Sequence, residues 1–218
     1  MSDQPSLVTQ QHFDYIAAHT QGDDEFLIEL KRDALAQGLP AIWIGPAQAS
    51  FMAIQLRVAG ARRVVEVGTL GGYSAITMAR ALPAEGHLHT IEIDPHHADF
   101  AESWIARSDV ASKITVHRGS GDDCLAELPD DSFEAMFLDA DKAGYASYLQ
   151  AGLRLLRGGG LVMADNAFAF GQLFHETPTD PEANAVKAFN EVLASCPDVS
   201  GVIVPVGDGL WVGVRGPR

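Results

Sequence analysis

Three side chains in this sequence carry only oxygen toward any metal they might share: Asp139, Asp165 and Asn166. Asp139 directly follows the apolar run Phe133–Leu138, and Asp165-Asn166 directly follow Gly159–Ala164. If the two runs are neighbouring parallel strands, all three side chains meet at one sheet edge. Such a donor set suits a hard cation, Mg²⁺ or alternatively Ca²⁺ or Mn²⁺, whereas zinc would draw on histidine or cysteine. Three protein ligands leave about three octahedral positions, and two adjacent hydroxyls of a diphenol can fill two of them. The metal would lower the pKa of a bound hydroxyl and hold its oxygen toward a reactive carbon. Lys142 follows Asp139 closely enough to take the hydroxyl proton as a neutral amine, while neighbouring carboxylates favour its charged form; the residues alone leave both open. They also leave open that Asp141 and Lys142 simply begin a helix and that Asp165 is an N-cap.

A second group precedes these residues in the chain. Glu66-Val67-Gly68-Thr69-Leu70-Gly71-Gly72-Tyr73-Ser74 ends one apolar run and opens a helical pattern. Glycines allow a sharp turn and close backbone approach to a ligand, and the helix start offers unpaired N–H groups to an anion. The spacing is not G-x-G-x-x-G, because Thr69 and Leu70 separate Gly68 from Gly71, and this counts against a nicotinamide dinucleotide. Glu92 ends the next strand, either as an acceptor for ribose hydroxyls or as a solvated strand-end acid. Asp94 reads as the cap of a helix beginning at Pro95. Ser120, Gly121 and Asp122 either edge an adenine pocket or cap the short helix they begin.

The elements that must position these groups follow from hydrophobic period. Phe13, Ile16 and Ala17 recur at helical spacing, as do Phe26, Leu27, Leu30, Ala34 and Leu35, with Gly38 and Pro40 ending the second run. A third helix starts near Pro46, carries Phe51, Met52, Leu56 and Val58 inward, and stops at Gly60. From residue 62 the chain alternates strand and helix: strands at 64–67, 88–93, 114–117, 133–138 and 159–164, helices at 73–82, 95–107, 122–128 and 145–156. Repeated βα units predict a parallel sheet with right-handed crossovers. A loop after Asn166, a helix at 183–193 and two strands at 199–205 and 210–214 complete the chain. Gly207-Asp208-Gly209 reads as a tight hairpin, so the sheet is mixed.

The 218 residues fit one domain, 1–218, with a helical segment over about residues 1–60, and 47 % apolar content supports a sizeable core. A formal charge of −14, from 29 acidic and 15 basic residues, repels phosphate backbones and anionic lipid, so neither nucleic acid nor membrane is an expected partner. Cys124 and Cys196 are too few for a disulfide framework, and no leader or long apolar run is evident; the expectation is a soluble, cytoplasmic protein with reduced thiols. There is no P-loop, no G-x-S-x-G elbow and no H-E-x-x-H motif. His96 and His97 are expected to face solvent, and His175 sits in the loop after Asn166, either exposed or near substrate.

Val64–Ser74, Thr90–Pro95, Phe137–Lys142 and Ala164–Asn166, with the closing Gly207-Asp208-Gly209, strongly resemble the cation-dependent class I O-methyltransferases of the catechol and caffeoyl-CoA type, over about residues 10–215. The fold this resemblance implies is α/β and Rossmann-like, a seven-stranded mixed sheet of order 3-2-1-4-5-7-6 with helices on both faces. It implies S-adenosylmethionine as methyl donor, lined by Glu66, Gly68, Tyr73, Ser74, Glu92, Ser120, Gly121, Asp122 and Asp139. Ser74 would touch the methionine carboxylate, Glu66 would lie near the amino group, Glu92 would bind the ribose and residues 120–122 would edge the adenine. Asp139, Asp165 and Asn166 would be the metal ligands and Lys142 the general base. The acceptor would be one hydroxyl of a catechol-like diphenol, a flavonoid or a hydroxycinnamoyl ester, and the protein a homodimer.

The sequence departs from that family in two places, and the role of Trp43 is open. Relatives often have glycine three residues after the proline that opens the third helix, where this chain has Ala49. Phe168 and Phe170 stand where caffeoyl-CoA-type relatives carry tryptophan. Trp43 either reaches the pocket or belongs to the core or a dimer contact. Two rival functions are an NAD-dependent oxidoreductase and a non-catalytic small-molecule-binding protein that kept the fold.

Overall fold

The computed structural model describes residues 8–175 and 181–217. Three helices precede the sheet: α1 (Gln10–His19), α2 (Glu25–Ala36) and α3 (Pro46–Val58). Asp24 caps α2 by accepting the Leu27 N–H at 3.0 Å, which satisfies one of the orphan donors of the first turn. Leu27, Leu30 and Ala34 share its buried stripe, and Leu35 is exposed. In α3, Pro46 occupies the first turn, where its missing N–H costs nothing, and Met52 and Leu56 are buried four residues apart. Val58, predicted to point inward, is 80 % exposed. Two residues beyond Leu56 is about 200° around a helix, so it must face the opposite side. The apolar positions predicted for α1 also stay outside the core, for that helix buries no residue within this chain.

The seven strands are β1 (Arg63–Val67), β2 (His87–Glu92), β3 (Ile114–Arg118), β4 (Phe133–Leu138), β5 (Leu156–Ala164), β6 (Val199–Val204) and β7 (Leu210–Arg215). Between them lie α4 (Tyr73–Ala81), α5 (Pro95–Arg107), α6 (Gly121–Glu127), α7 (Tyr145–Leu155) and α8 (Pro181–Ser195). The sheet order is β3-β2-β1-β4-β5-β7-β6, with β7 antiparallel to both of its neighbours, as the sequence leads one to expect. β5 starts earlier than its expected boundary at Gly159. Leu156 pairs with Phe133, the glycine run then shifts the register, and regular pairing resumes at Leu161 opposite Ala135.

Alternation along the strands divides the core into two layers. Val64, Ala135, Phe137 and Met163 face the side covered by α2 to α5. Val65, Val67, Met136 and Val162 face the side covered by α6 to α8. Each fully buried large side chain, such as Phe137 or Met136, contributes about 1.5–3 kcal/mol. Among the described residues no helix is long and apolar enough to cross a membrane.

Register is what this architecture supplies to chemistry. Val67 lies opposite both Ile91 and Leu138, and Leu138 lies opposite Ala164. The residues that follow, Gly68, Glu92, Asp139 and Asp165, therefore stand level at the carboxyl ends of four adjacent strands, the usual ligand-binding edge of an open α/β sheet. Backbone bonds carry the ladder one step further, from Asp139 N to Val67 O and from Asp165 N to Leu138 O, both 2.9 Å. Gly68 has φ +99°, and a Cβ there would lie 1.9 Å from the Asp139 carbonyl oxygen. Gly68→Ala therefore forces β1 and β4 apart. It should destabilise the fold by about 3 kcal/mol or more, read as a lowered urea midpoint. A midpoint equal to the parent's would contradict this packing.

Candidate functional site

A cavity of about 410 Å³ opens at this edge. Gly68, Glu92, Gly121, Asp139, Lys142 and Asn166 all contribute to its lining. The glycine turn is tied to Glu92, whose Oε2 accepts the N–H groups of Thr69 at 3.2 Å and Leu70 at 2.7 Å. Its Oε1 accepts Asp94 N at 2.9 Å. Only 7 % exposed, Glu92 is not the solvated strand-end acid that was one of its two readings. It braces the turn and still presents lone pairs to the cavity. Asp94 caps α5 as expected, accepting from the His96 and His97 N–H groups. His97 does not simply face solvent: it lines the cavity, with Nδ1 3.8 Å from Glu92.

Glu66 lies beneath the turn, completely buried, and does not reach the cavity wall. Its Oε2 accepts the Thr90 hydroxyl at 2.6 Å, Thr90 lies 2.5 Å from the Thr69 hydroxyl, and its Oε1 has no hydrogen-bond partner among the described residues. Burial pushes its pKa up to about 8, although the nearby Ser74 and Thr90 hydroxyls pull the other way. Tyr73 and Ser74 line a smaller adjoining pocket together with Trp43, which also packs against the core. The Tyr73 hydroxyl donates to Asp23 at 2.7 Å, and Lys31, itself 2.7 Å from Asp23, sits 3.7 Å over the Tyr73 ring centre. α2 and its preceding loop thus grip the glycine turn through a phenol-carboxylate-ammonium chain that sequence period did not reveal.

Of the expected adenine-edge residues, Gly121 alone lines the cavity. Tyr148 and Val67 pack so closely that a Cβ at Gly121 would meet Tyr148 at 2.6 Å. Ser120 caps α6 by accepting Asp123 N at 3.2 Å, and Asp122 is exposed. Asp141 lines the cavity and accepts from Tyr148 Oη at 2.7 Å and Gly144 N at 2.9 Å. It also begins the short 3-10 turn Lys142–Gly144, so the helix-start reading of Asp141 and Lys142 holds alongside their place at the site.

Asp139, Lys142 and Asn166 line the cavity, and Asp165, at the adjoining strand end, lies behind them outside that lining. Lys142 is nearly buried and donates to Asn166 Oδ1 at 2.6 Å, Tyr145 Oη at 2.7 Å and Asp139 Oδ1 at 3.4 Å. Asp165 accepts Gln48 Nε2 at 2.7 Å, and both are buried. Asp165 is not an N-cap; the next short helical turn begins after Phe168. Burial, reinforced by repulsion from Asp165, raises the Asp139 pKa to about 7, and burial raises that of Asp165 as well. Among the described residues no three His, Cys, Asp or Glu side chains form a metal-holding group. The centre is two carboxylates and one amide, a set whose chemistry fits a hard cation.

Phe170 is 71 % exposed at the cavity rim, while Phe168 packs on Gly209. His175 is exposed and takes no part in the lining, and Ala49 is buried in α3. Gln48, Tyr145 and Tyr148 were missed by sequence reasoning. The two tyrosines repeat at a helical spacing that reads as core, and a glutamine in the first turn of a helix carries no signal of its own.

A sequence profile of the O-methyltransferase family matches residues 17–215. The chain is similar to a catechol O-methyltransferase of Niastella koreensis, 36 % identical over 87 % of both chains. It is 33 % identical to a catechol O-methyltransferase of Mycobacterium tuberculosis, over 88 % of this chain and 87 % of the relative. Among solved structures, the O-methyltransferase from Bacillus cereus in complex with SAH superposes with a TM-score of 0.85 at 31 % identity, covering 93 % of this chain and 96 % of that one.

The buried Glu66 carries a pH signature. The folded protein keeps a proton up to about pH 8 that the unfolded chain releases near 4.5. Its contribution to stability is therefore complete below the lower value and is lost as pH rises toward the upper one. Across that window the ligand-free parent should lose stability relative to Glu66→Gln by up to about 1.4 kcal/mol per pH unit in urea unfolding. A parent-minus-variant difference that stays constant with pH would contradict the raised pKa.

Proposed function

The chain belongs to the O-methyltransferase family, and on that premise we propose that it transfers the methyl group of S-adenosylmethionine to one hydroxyl of a vicinal diphenol in a reaction that requires a divalent cation, Mg²⁺ first among the candidates. The observation that carries this reading is that Lys142 draws Asp139 and Asn166 together in the lining of a cavity whose walls include Gly68 and Glu92, with Asp165 at the adjoining strand end, held by Gln48. The donor and acceptor sites are thus one space. That the relatives from Niastella koreensis and Mycobacterium tuberculosis are catechol O-methyltransferases supports the acceptor class. The SAH complex of the Bacillus cereus relative supports the donor.

Gly68 gives the donor close approach to the backbone, Glu92 is the acceptor for its ribose hydroxyls, and Gly121, in the cavity lining against Tyr148, edges the base. Tyr73, held by Asp23 and Lys31, and the neighbouring Ser74 take the methionine end, with the buried carboxyl group of Glu66 beneath them. Asp139, Asp165 and Asn166 would hold the cation. When bound, that cation supplies Lewis acidity that favours the ionised acceptor hydroxyl. Lys142, within hydrogen-bond distance of Asp139, Tyr145 and Asn166, is placed to take the acceptor hydroxyl proton as a neutral amine. The sulfonium methyl is already activated, so alignment of oxygen, carbon and sulfur is the main task left to the protein, contributing up to about 7–11 kcal/mol in ideal cases. Ile42 and Phe170 at the rim limit water and contact the acceptor ring.

Family membership leaves the NAD-dependent oxidoreductase without support. A homodimer in the cytoplasm belongs to the same proposal, with exposed Ile28, Ile54 and Val58 on α2 and α3 as apolar surface available to a second copy.

With S-adenosylmethionine and a panel of catechols, the protein should form methyl ethers in Mg²⁺ and lose at least about 100-fold in rate in chelator. Asp139→Ala and Asp165→Ala should each lose a comparable factor while still binding S-adenosylhomocysteine by calorimetry. Full turnover in chelator, or in either variant, would remove the cation from the reading. No methyl transfer to any vicinal diphenol would favour a non-catalytic binding protein.

A further inference from the structure

The turn between β6 and β7 lies far along the chain from the oxygen cluster, yet it closes directly over it. Ala167 N donates to Gly209 O at 2.8 Å and Phe168 N to Asp208 O at 3.0 Å, fastening the turn to the residues that follow Asn166. Gly207, at φ +58°, makes room for Gln48: a Cβ there would lie 2.0 Å from the Gln48 side-chain oxygen. The hairpin and the first turn of α3 therefore meet each other beside the end of β5.

Their polar groups meet the proposed cation ligands in a definite order. Gln48, only 2 % exposed, donates Nε2 to one Asp165 oxygen at 2.7 Å. Asp208 Oδ2 accepts Phe170 N at 2.7 Å and faces Asn166 Nδ2 at 3.5 Å. On its other side, Asn166 Oδ1 accepts from Lys142 at 2.6 Å. A lysine ammonium only donates and a carboxylate oxygen accepts, so the Asn166 amide has one satisfactory orientation, with oxygen toward Asp139 and Lys142 and nitrogen toward the hairpin. Flipped, it would set nitrogen against ammonium and oxygen against carboxylate.

We propose that Gln48 and Asp208 are positioning residues for the cation site, Gln48 fixing the Asp165 carboxylate and Asp208 fixing the Asn166 amide with its oxygen inward. The inference rests on the reading that Asp139, Asp165 and Asn166 hold a divalent ion. It makes the Gly207-Asp208-Gly209 turn part of the site's geometry as well as a strand connection. Groups that orient ligands in this way typically change metal affinity by about 10–100-fold when removed.

The test is Mn²⁺ affinity of the full chain by electron paramagnetic resonance, beside S-adenosylhomocysteine affinity by calorimetry. Gln48→Met keeps the buried volume and removes the donor. Asp208→Ala removes the acceptor, and Asp208→Asn keeps an oxygen able to accept from both Phe170 and Asn166 while dropping the charge. Gln48→Met and Asp208→Ala should bind Mn²⁺ about 10-fold or more weakly, with S-adenosylhomocysteine affinity within about twofold of the parent and Asp208→Asn close to the parent in both. Parental Mn²⁺ affinity in Gln48→Met and Asp208→Ala would overturn the inference and leave the cation site standing. So would Asp208→Asn binding as weakly as Asp208→Ala, or parallel loss of both ligands. A parent that binds no Mn²⁺ would overturn the cation site itself, and this inference with it.

Discussion

Two carboxyl groups crowded at one largely buried sheet edge resist ionising together unless positive charge lies near. Asp139 and Asp165 stand on adjacent strand ends, where burial and mutual repulsion raise the Asp139 pKa to about 7 and burial raises that of Asp165. In water such a pair would separate; here the β4–β5 register prevents it. Lys142 supplies one compensating charge, drawn in by Asp139, Asn166 and the Tyr145 hydroxyl. The remaining demand for charge is what makes this edge of the sheet suited to a cation, and the electrostatics of the site follow from that constraint.

The same register brings the glycine turn within reach. Close contact between Gly68 and the Asp139 carbonyl locks β1 to β4, so the turn that would cradle the methyl donor and the carboxylate that would hold the acceptor are parts of one rigid edge. Glu92 then ties the turn's N–H groups to β2, and the Asp23, Lys31 and Tyr73 contacts tie it to the helices before the sheet. A methyl transfer that depends on aligning three atoms gains from this arrangement, because neither half of the site can shift without disturbing the ladder.

Much of this was readable in the sequence because it is local. Strand-end carboxylates follow apolar runs, Pro95 and Asp94 mark a helix start, and Gly207-Asp208-Gly209 marks a hairpin; each signal lies within a few residues of the element it sets. The strand order came with the family resemblance, while βα alternation and the final hairpin gave the mainly parallel, mixed character of the sheet. What escaped depends on contacts between distant segments. Gln48 meets Asp165 across 117 residues of chain, and nothing beside Gln48 announces it. Val58 was misplaced because an apolar residue near a helix end was assigned to the inner face against the helical period. Glu92 proved buried because the glycine turn folds back onto it, a closure that strand propensity does not encode.

The central claim is that Asp139, Asp165 and Asn166 together form a divalent-cation centre beside the methyl-donor pocket. Its most direct test is a crystal of the protein grown with Mn²⁺ and S-adenosylhomocysteine and measured for anomalous scattering. The account predicts one strong peak within about 2.0–2.6 Å of side-chain oxygens from all three residues, opening onto the cavity that holds the nucleoside. A peak elsewhere, or none at saturating Mn²⁺, would contradict it.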